Sequence, residues 1–259
     1  TEFLADSTDA IRDEDGDATD WIELWNRSPF VLDLAGYALT DDPADLRKWV
    51  FPSVKVPGGG FLLVRASGKD RRDPRAQLHT SFKLDSKGDY LAFVDVRTNV
   101  VRQYPGDYPK TTAFPPQRSG VSYGIGSNGL EGFQRPATPG TANGPAYEGV
   151  VSDTKFSRDR GFFDTKIVVE ITNSTPGAVI RYTTDRSLPT VTKGLVYSGP
   201  ILITNTTVLR AAAFRDGWAP SDVDTQTYIN PSNIVASSVM RKSITTNALY
   251  RSQMNAALL

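Results

Sequence analysis

Arg181-Tyr182-Thr183-Thr184-Asp185-Arg186-Ser187-Leu188-Pro189-Thr190, continuing through Val196-Tyr197-Ser198-Gly199-Pro200-Ile201 to Thr225-Gln226-Thr227-Tyr228, decides the fold. Upstream, Ile167 to Ile171 and Val179 to Thr183 are β-branched runs, and Pro176-Gly177 between them supplies a turn with a fixed φ and a residue tolerant of φ > 0. Downstream, Thr184 to Ser187 break the pattern and Pro189 bars a central strand. Leu195–Tyr197, Ile201–Ile203, Val208–Phe214 and Val223–Ile229 then predict further short strands, punctuated by Gly199-Pro200 and Asp216-Gly217. Short strands at close, turn-marked spacing are the signature of a β-sandwich or barrel. The stretch offers no catalytic constellation, so it reads as a scaffold.

From about Phe156 to Ile229 the chain resembles the Ig-like module at the C-terminal end of chitobiase and β-hexosaminidase type proteins. The residues that carry the resemblance are Tyr182-Thr183-Thr184-Asp185, Pro189-Thr190, Tyr197-Ser198-Gly199-Pro200-Ile201 and Leu209-Arg210-Ala211-Ala212-Ala213. The chain departs from that family at Arg186 and Leu188, where Gly and Glu are usual, which puts the detail of that turn in question. The resemblance implies an accessory module whose catalytic partner lies elsewhere, and it carries no active site over.

The first half is β-rich as well. Trp21-Ile22-Glu23-Leu24 alternates, Leu32 to Leu39 follows Pro29, Trp49-Val50-Phe51 precedes Pro52, and Phe61 to Val64 follows Gly58-Gly59-Gly60. Tyr90 to Val94 predicts a strand in a hairpin with the segment around Val100-Val101. This half, residues 1–145, resembles the lamin tail domain of bacterial secreted proteins. It does so through Trp21-Ile22-Glu23-Leu24-Trp25-Asn26, Asp33-Leu34-Ala35-Gly36-Tyr37-Ala38-Leu39-Thr40-Asp41, Pro57-Gly58-Gly59, Phe82-Lys83-Leu84 and the closing Pro136 to Gly144. That resemblance implies a second Ig-like sandwich, a role in interaction, and an extracellular or cell-surface setting in bacteria.

Composition agrees with two such modules. A length of 259 residues favours about two domains, and a hydrophobic share of 39% supplies ordinary cores. The absence of cysteine excludes disulfide and thiolate-metal scaffolding. No apolar run is long enough to span a membrane, and the opening residues read as a mature or trimmed start. Net charge is zero, but residues 1–45 hold 13 Asp and Glu against 2 Lys and Arg, and residues 46–135 hold 7 against 15. A neutral chain with an acidic front gains little from releasing phosphate counterions, so nucleic acid is not an expected partner.

Asp13-Glu14-Asp15-Gly16-Asp17-Ala18-Thr19-Asp20 is the sharpest chemical feature. Carboxylates at alternate positions of a tight loop can converge on one hard cation, and Gly16 helps the loop curl. The EF-hand template fails here, because Ala18 stands where it requires glycine and Leu24 where it requires the bidentate Glu. Two readings stand: a calcium loop using Asp13, Asp15 and Asp17 with Asp20 or Glu23, or a solvated acidic face.

Enzyme chemistry has little to build on. His79 is the only histidine, and the lamin-tail pattern around it implies a structural hydrogen-bonding role. No pair of acids stands in a glycosidase motif, and Gly58-Gly59-Gly60 and Gly124-Ile125-Gly126 read as turns, lacking the setting of a phosphate loop. Trp21, Trp25 and Trp218 are candidate glycan contacts, weighed against packing: on a strand Trp21, Glu23 and Trp25 share one face and Ile22 and Leu24 the other.

Asn143 to Gly149 reads as a short linker. Beyond Tyr228, Asn230-Pro231-Ser232-Asn233 reads as a helix start with an Asn or Ser cap, and Ile234 to Leu259 as a helical tail opening a following domain. The expectation is all-β: two tandem Ig-like sandwiches, 1–145 and 150–230, with a helical tail over 231–259. The expected role is a non-enzymatic spacer or interaction region of a larger secreted or surface protein, whose partners are neighbouring domains. The alternative is a carbohydrate- or protein-binding module with a calcium-stabilised loop.

Overall fold

The computed structural model describes residues 2–7, 11–107 and 109–232. The chain divides into two compact units, Thr1–Glu148 and Gly149–Leu259. In the first, the strands are β1 (Glu2–Leu4), β2 (Asp20–Trp25), β3 (Leu32–Asp33), β4 (Ala38–Thr40), β5 (Trp49–Val50), β6 (Lys55–Val56), β7 (Phe61–Ala66), β8 (Leu78–His79), β9 (Leu91–Val94), β10 (Val100–Tyr104), β11 (Ser122–Ile125) and β12 (Glu131–Gln134). In the second they are β13 (Lys155–Phe156), β14 (Gly161–Phe162), β15 (Ile167–Val169), β16 (Ile171–Thr172), β17 (Val179–Thr183), β18 (Leu195–Val196), β19 (Ile201–Ile203), β20 (Thr207–Phe214) and β21 (Asp224–Ile229). The expected all-β architecture holds.

The first unit is a sandwich of a six-stranded sheet, β12-β11-β1-β2-β7-β8, and a four-stranded sheet, β10-β9-β4-β5. Because side chains alternate across a strand, one face of each sheet feeds the core. Phe3, Ile22, Val64 and Tyr123 come from the first sheet, and Leu39, Trp49, Leu91 and Tyr104 from the second. Phe3 on β1 lies 5.0 Å from Tyr104 on β10, ring centre to ring centre, so aromatic contacts join the two layers.

The opposite face of the six-stranded sheet is buried too, contrary to what an alternating strand with one wet face implies. Register sets Glu2 opposite Glu23, Leu4 opposite Trp21 and Trp21 opposite Arg65, and all of them are buried. Two segments cover them. The Arg65 guanidinium donates to the carbonyls of Ile11 (2.6 Å) and Arg12 (2.8 Å). A strap across Pro136–Thr141 is tied down by the Thr138 amide and hydroxyl, which donate to Glu2 at 2.9 and 2.7 Å, and by the Gly140 amide, which donates to Glu23.

Three expectations for this unit are corrected. Leu32 to Leu39 is two strands, because Gly36 takes φ +80 in a turn closed by the Tyr37 amide on the Leu34 carbonyl. Gly124 and Ile125 lie inside β11, and only Gly126 begins a turn. The segment from Asn143 is also more than a linker. The Tyr147 amide and carbonyl both bond to Phe133 on β12, at 2.8 and 2.9 Å. Gly126 and Gly132 admit this approach, since a Cβ there would meet Ala146 N at 2.1 Å and Tyr147 O at 2.3 Å.

The second unit has a five-stranded sheet, β14-β21-β20-β17-β18, beside the pairs β15-β19 and β13-β16. Its core gathers Ile167, Val169, Ile171, Ile201, Ile203, Leu209, Ala211 and Tyr228. Ile167 to Ile171, expected as one strand, breaks at Glu170: β15 pairs with β19 and β16 with β13. At the family's usual glycine position Arg186 itself adopts φ +69, the left-handed conformation glycine enters freely. Asn230 Oδ1 accepts the Ser232 amide at 3.1 Å, as a helix cap does, and Pro231 and Ser232 are helical. The rest of the expected helical tail lies outside the described residues.

Candidate functional site

The acidic loop is built around Asp13. Its Oδ1 accepts the amides of Asp15 (3.0 Å) and Asp17 (2.9 Å), and the Asp13 amide donates to the Asp17 carbonyl at 2.9 Å. Gly16, at φ +84, lets the chain turn. One carboxylate oxygen from each of Asp13, Asp15 and Asp17 thereby falls within 4.8 Å of the others. Asp20 does not join them. It begins β2 and accepts the backbone amides of Ser7 and Leu84, where burial pushes its carboxyl up to about 6.

At the convergence point stands a cation of the chain's own. Lys69 Nζ lies 2.6 Å from Asp13, 2.6 Å from Asp15 and 2.8 Å from Asp17. Arg71 adds bonds to Glu14 (2.7 Å) and Asp15 (2.6 Å). The hydrogen bonds from Arg71 and then Lys69 hold Asp15 down at about 2. For Asp13, burial pushes upward, but the bond from Lys69 and those from the Asp17 and Asp15 amides outweigh it, and the carboxyl ends below its ordinary range. Hydrogen bonds to the three aspartates raise Lys69 in return. An ammonium with three donors matches three convergent acceptors, so the like charges of the loop are neutralised from within.

His79 belongs to the same construction. It is fully buried, with Nδ1 2.7 Å from Ser67 Oγ and Nε2 3.1 Å from both oxygens of Glu14. Both ring nitrogens are thus engaged by the scaffold. Lys69 and Arg71 were not legible as members of this cluster, because Lys69 lies 56 positions from Asp13 and basic residues are scattered throughout that region.

The three tryptophans have different surroundings. Trp21 is 1% exposed and presents no face to solvent. Trp218 lies under the Arg215 guanidinium, 4.1 Å from the ring centre, and so near Gly149 that a Cβ there would come within 2.7 Å of its ring. Trp25 is 36% exposed, stacked on Phe61 at 5.7 Å with 12° between the rings, with its Nε1 donating to the Gly59 carbonyl and Arg27 5.2 Å from its ring centre. Trp25 also stands on the rim of a cavity of about 700 Å³ in the first unit, which reaches inward to Phe3, Leu34, Leu39 and Leu91. The sequence carries no signal for this cavity, since its apolar lining residues read as ordinary core and its polar ones lie far apart in the chain.

The second unit is a β-sandwich whose turn between Thr183 and Pro189 is held by the Thr183 hydroxyl, which donates to the Ser187 carbonyl at 2.6 Å. Residues 169–228 match the family described as Fn3 associated. That match indicates a fibronectin-type, Ig-like associated domain over this segment, which suggests an accessory module of a larger protein. The match falls within β15 to β21 and spans both the core strands and Arg186. No curated protein and no solved structure matches the chain. No helix among the described residues is long and apolar enough to cross a membrane.

Proposed function

We propose that this chain is a non-catalytic spacer and interaction region of a larger bacterial protein, exported or held at the cell surface, and that its partners are the domains next to it. In this reading the first unit is of the lamin-tail kind and the second of the chitobiase C-terminal kind. The observation that carries it is the fate of the chemically capable groups. The sole histidine is locked between Ser67 and Glu14, and the acidic loop is closed by Lys69 and Arg71. Groups engaged in this way hold loops together, and a reacting group needs a free approach to substrate. Purified chain assayed against chromogenic glycosides, phosphoesters and acyl esters is expected to give no turnover. Turnover that disappears on replacing a single acid overturns the proposal. Surface protease treatment of producing cells checks the location.

The loop's resident cation, in this proposal, is Lys69. A calcium ion at Asp13, Asp15 and Asp17 would have to displace it and recruit further oxygens to reach a coordination of six to eight. A second reading, a module that binds carbohydrate or protein, is favoured by the half-exposed Trp25 backed by Phe61 and Arg27. Sugars pack on such platforms. A glycan array probed with the parent and Trp25→Ala chains decides it: signal lost in the variant supports binding, and no signal from either leaves the spacer.

A further inference from the structure

The first unit's cavity is of the size of small-molecule sites, which run from roughly 300 to 1,000 Å³, and at about 700 Å³ it lies between the two sheets of the sandwich. Its inner wall is apolar, formed by buried side chains such as Phe3, Leu34, Leu39 and Leu91. Water held there would need two to four polar partners; these side chains offer none, and the hydroxyl of Tyr104, which also lines the space, is engaged by Arg102. An apolar chain is the complementary filling.

The rim decides the other end of the ligand. Three charged residues line the space: Glu2, Arg27 and Arg102. The Glu2 carboxyl is committed to the opposite face of its sheet, where it accepts from Ser122 and Thr138. Arg27 has no acidic partner among the described residues and lies against the Trp25 ring. Arg102 gives Nη2 to Glu131 at 2.8 Å, bonds the Tyr104 side chain and lies 5.0 Å from that ring's centre, while its Nε is without a hydrogen-bond partner. Glu131 in turn also accepts the Gly106 amide and the Tyr123 hydroxyl, so its negative charge is shared among three donors. The rim amides are occupied: Asn26 Nδ2 donates to the carbonyls of Phe30, Val56 and Pro57, and Asn143 Nδ2 to that of Ile125. The free valence at the mouth is cationic.

We propose that the space between the sheets of the first unit binds an amphipathic carboxylate, a single acyl chain lying among the core side chains with its anionic end at Arg27 and Arg102. At about 30 Å³ for each water-sized group, the volume suits a chain of roughly ten to sixteen carbons, with the outer part of the space left to the head and solvent. This assignment goes beyond the spacer reading and does not rest on it.

The test is a fluorescence titration of the whole chain with 11-(dansylamino)undecanoic acid. Saturable binding at one site is expected, with emission shifted to the blue. Dodecanoate should displace the probe, and dodecanol at equal concentration should not. Arg27→Gln should weaken the probe about tenfold, the scale of one charge-assisted hydrogen bond. Because Arg27 is exposed and unpaired, that variant keeps the fold, which circular dichroism checks. Val101→Trp, placing an indole at a rim position that is 56% exposed, should abolish binding. No saturable binding, binding unaffected by Val101→Trp, or equal displacement by the alcohol would overturn the proposal.

Discussion

Glu2 and Glu23 face each other across β1 and β2, both buried, and between them they fasten the strap across Pro136–Thr141 over the outer face of the six-stranded sheet. Two acids side by side in a sheet interior repel if both are charged, and they persist here because Thr138 and Gly140 supply amide and hydroxyl donors.

Replacing Glu23 by Ala removes the buried acceptor of the hydrogen bond from Gly140, a residue that is itself exposed. The expected loss is about 1 kcal/mol, the net worth of one hydrogen bond whose donor water can reach. Urea unfolding measures it. Amide exchange at Gly140 and Thr141 should accelerate before the core opens, and unchanged exchange there would mean that the strap is held by other contacts.

Lys69→Met should lower Tm, because three convergent carboxylates then lose their counter-charge. Calcium should restore the loss in the variant and leave the parent chain unchanged, since a ligand that binds only the folded state stabilises it and Lys69 already fills the place in the parent. A calcium-dependent rise in the parent that vanishes in Asp13→Asn would instead make the loop a metal site.

Asp15 and Asp20 act on stability in opposite pH windows. Asp15 is held at about 2, below its ordinary 3.8, so its contribution is present above pH 4 and is lost as pH falls toward 2. Asp20 is raised to about 6, so its protonated form is favoured by folding, and stability declines as pH rises from 4 through 6. In melts followed against pH, Asp20→Asn should remove the decline between pH 4 and 6, and Asp15→Asn should flatten the acid limb. A decline that survives in Asp20→Asn assigns it to another group.

Arg186→Gly should stabilise the second unit by about 1 kcal/mol, because a side chain at positive φ costs about that much and glycine does not. The Arg186 carbonyl, which accepts Arg210 Nη1 at 2.8 Å, is retained in the variant. A lowered urea midpoint would show that contacts of the Arg186 side chain outweigh the strain.

Gly132→Ala and Gly129→Ala make a contrasting pair. A Cβ at Gly132 would come within 2.3 Å of the Tyr147 carbonyl, so the Phe133–Tyr147 bridge must part, at a cost of about 1–3 kcal/mol as in overpacking. At Gly129 nothing lies within 4 Å and only the φ of +76 opposes the change, about 1 kcal/mol. Equal midpoints for the two would mean that Tyr147 is not fixed to β12.

Much of the fold is legible because strands and turns are local. Val179–Thr183 and Ile201–Ile203 are bounded in the structure where their β-branched runs begin and end. The Pro176-Gly177 turn, the Asn230 cap and the β9–β10 hairpin likewise depend on residues close in sequence. What local pattern could not give is the partner. Ile167 to Ile171 carries one uninterrupted signal, yet its two halves join different ladders. The acids at 13, 15 and 17 announce convergence, yet the cation among them comes from position 69.

The sequence by itself determined most of where the chain extends and where it turns, because φ preferences and side-chain alternation act over a few residues. Only the tertiary structure decided that Trp21 and Glu23 lie beneath a second cover, that Lys69 closes the acidic loop, and that a cavity opens between two sheets whose apolar residues read as core. Each of these depends on segments brought together by burial, which rewards apolar area and buried-group satisfaction wherever they lie in the chain.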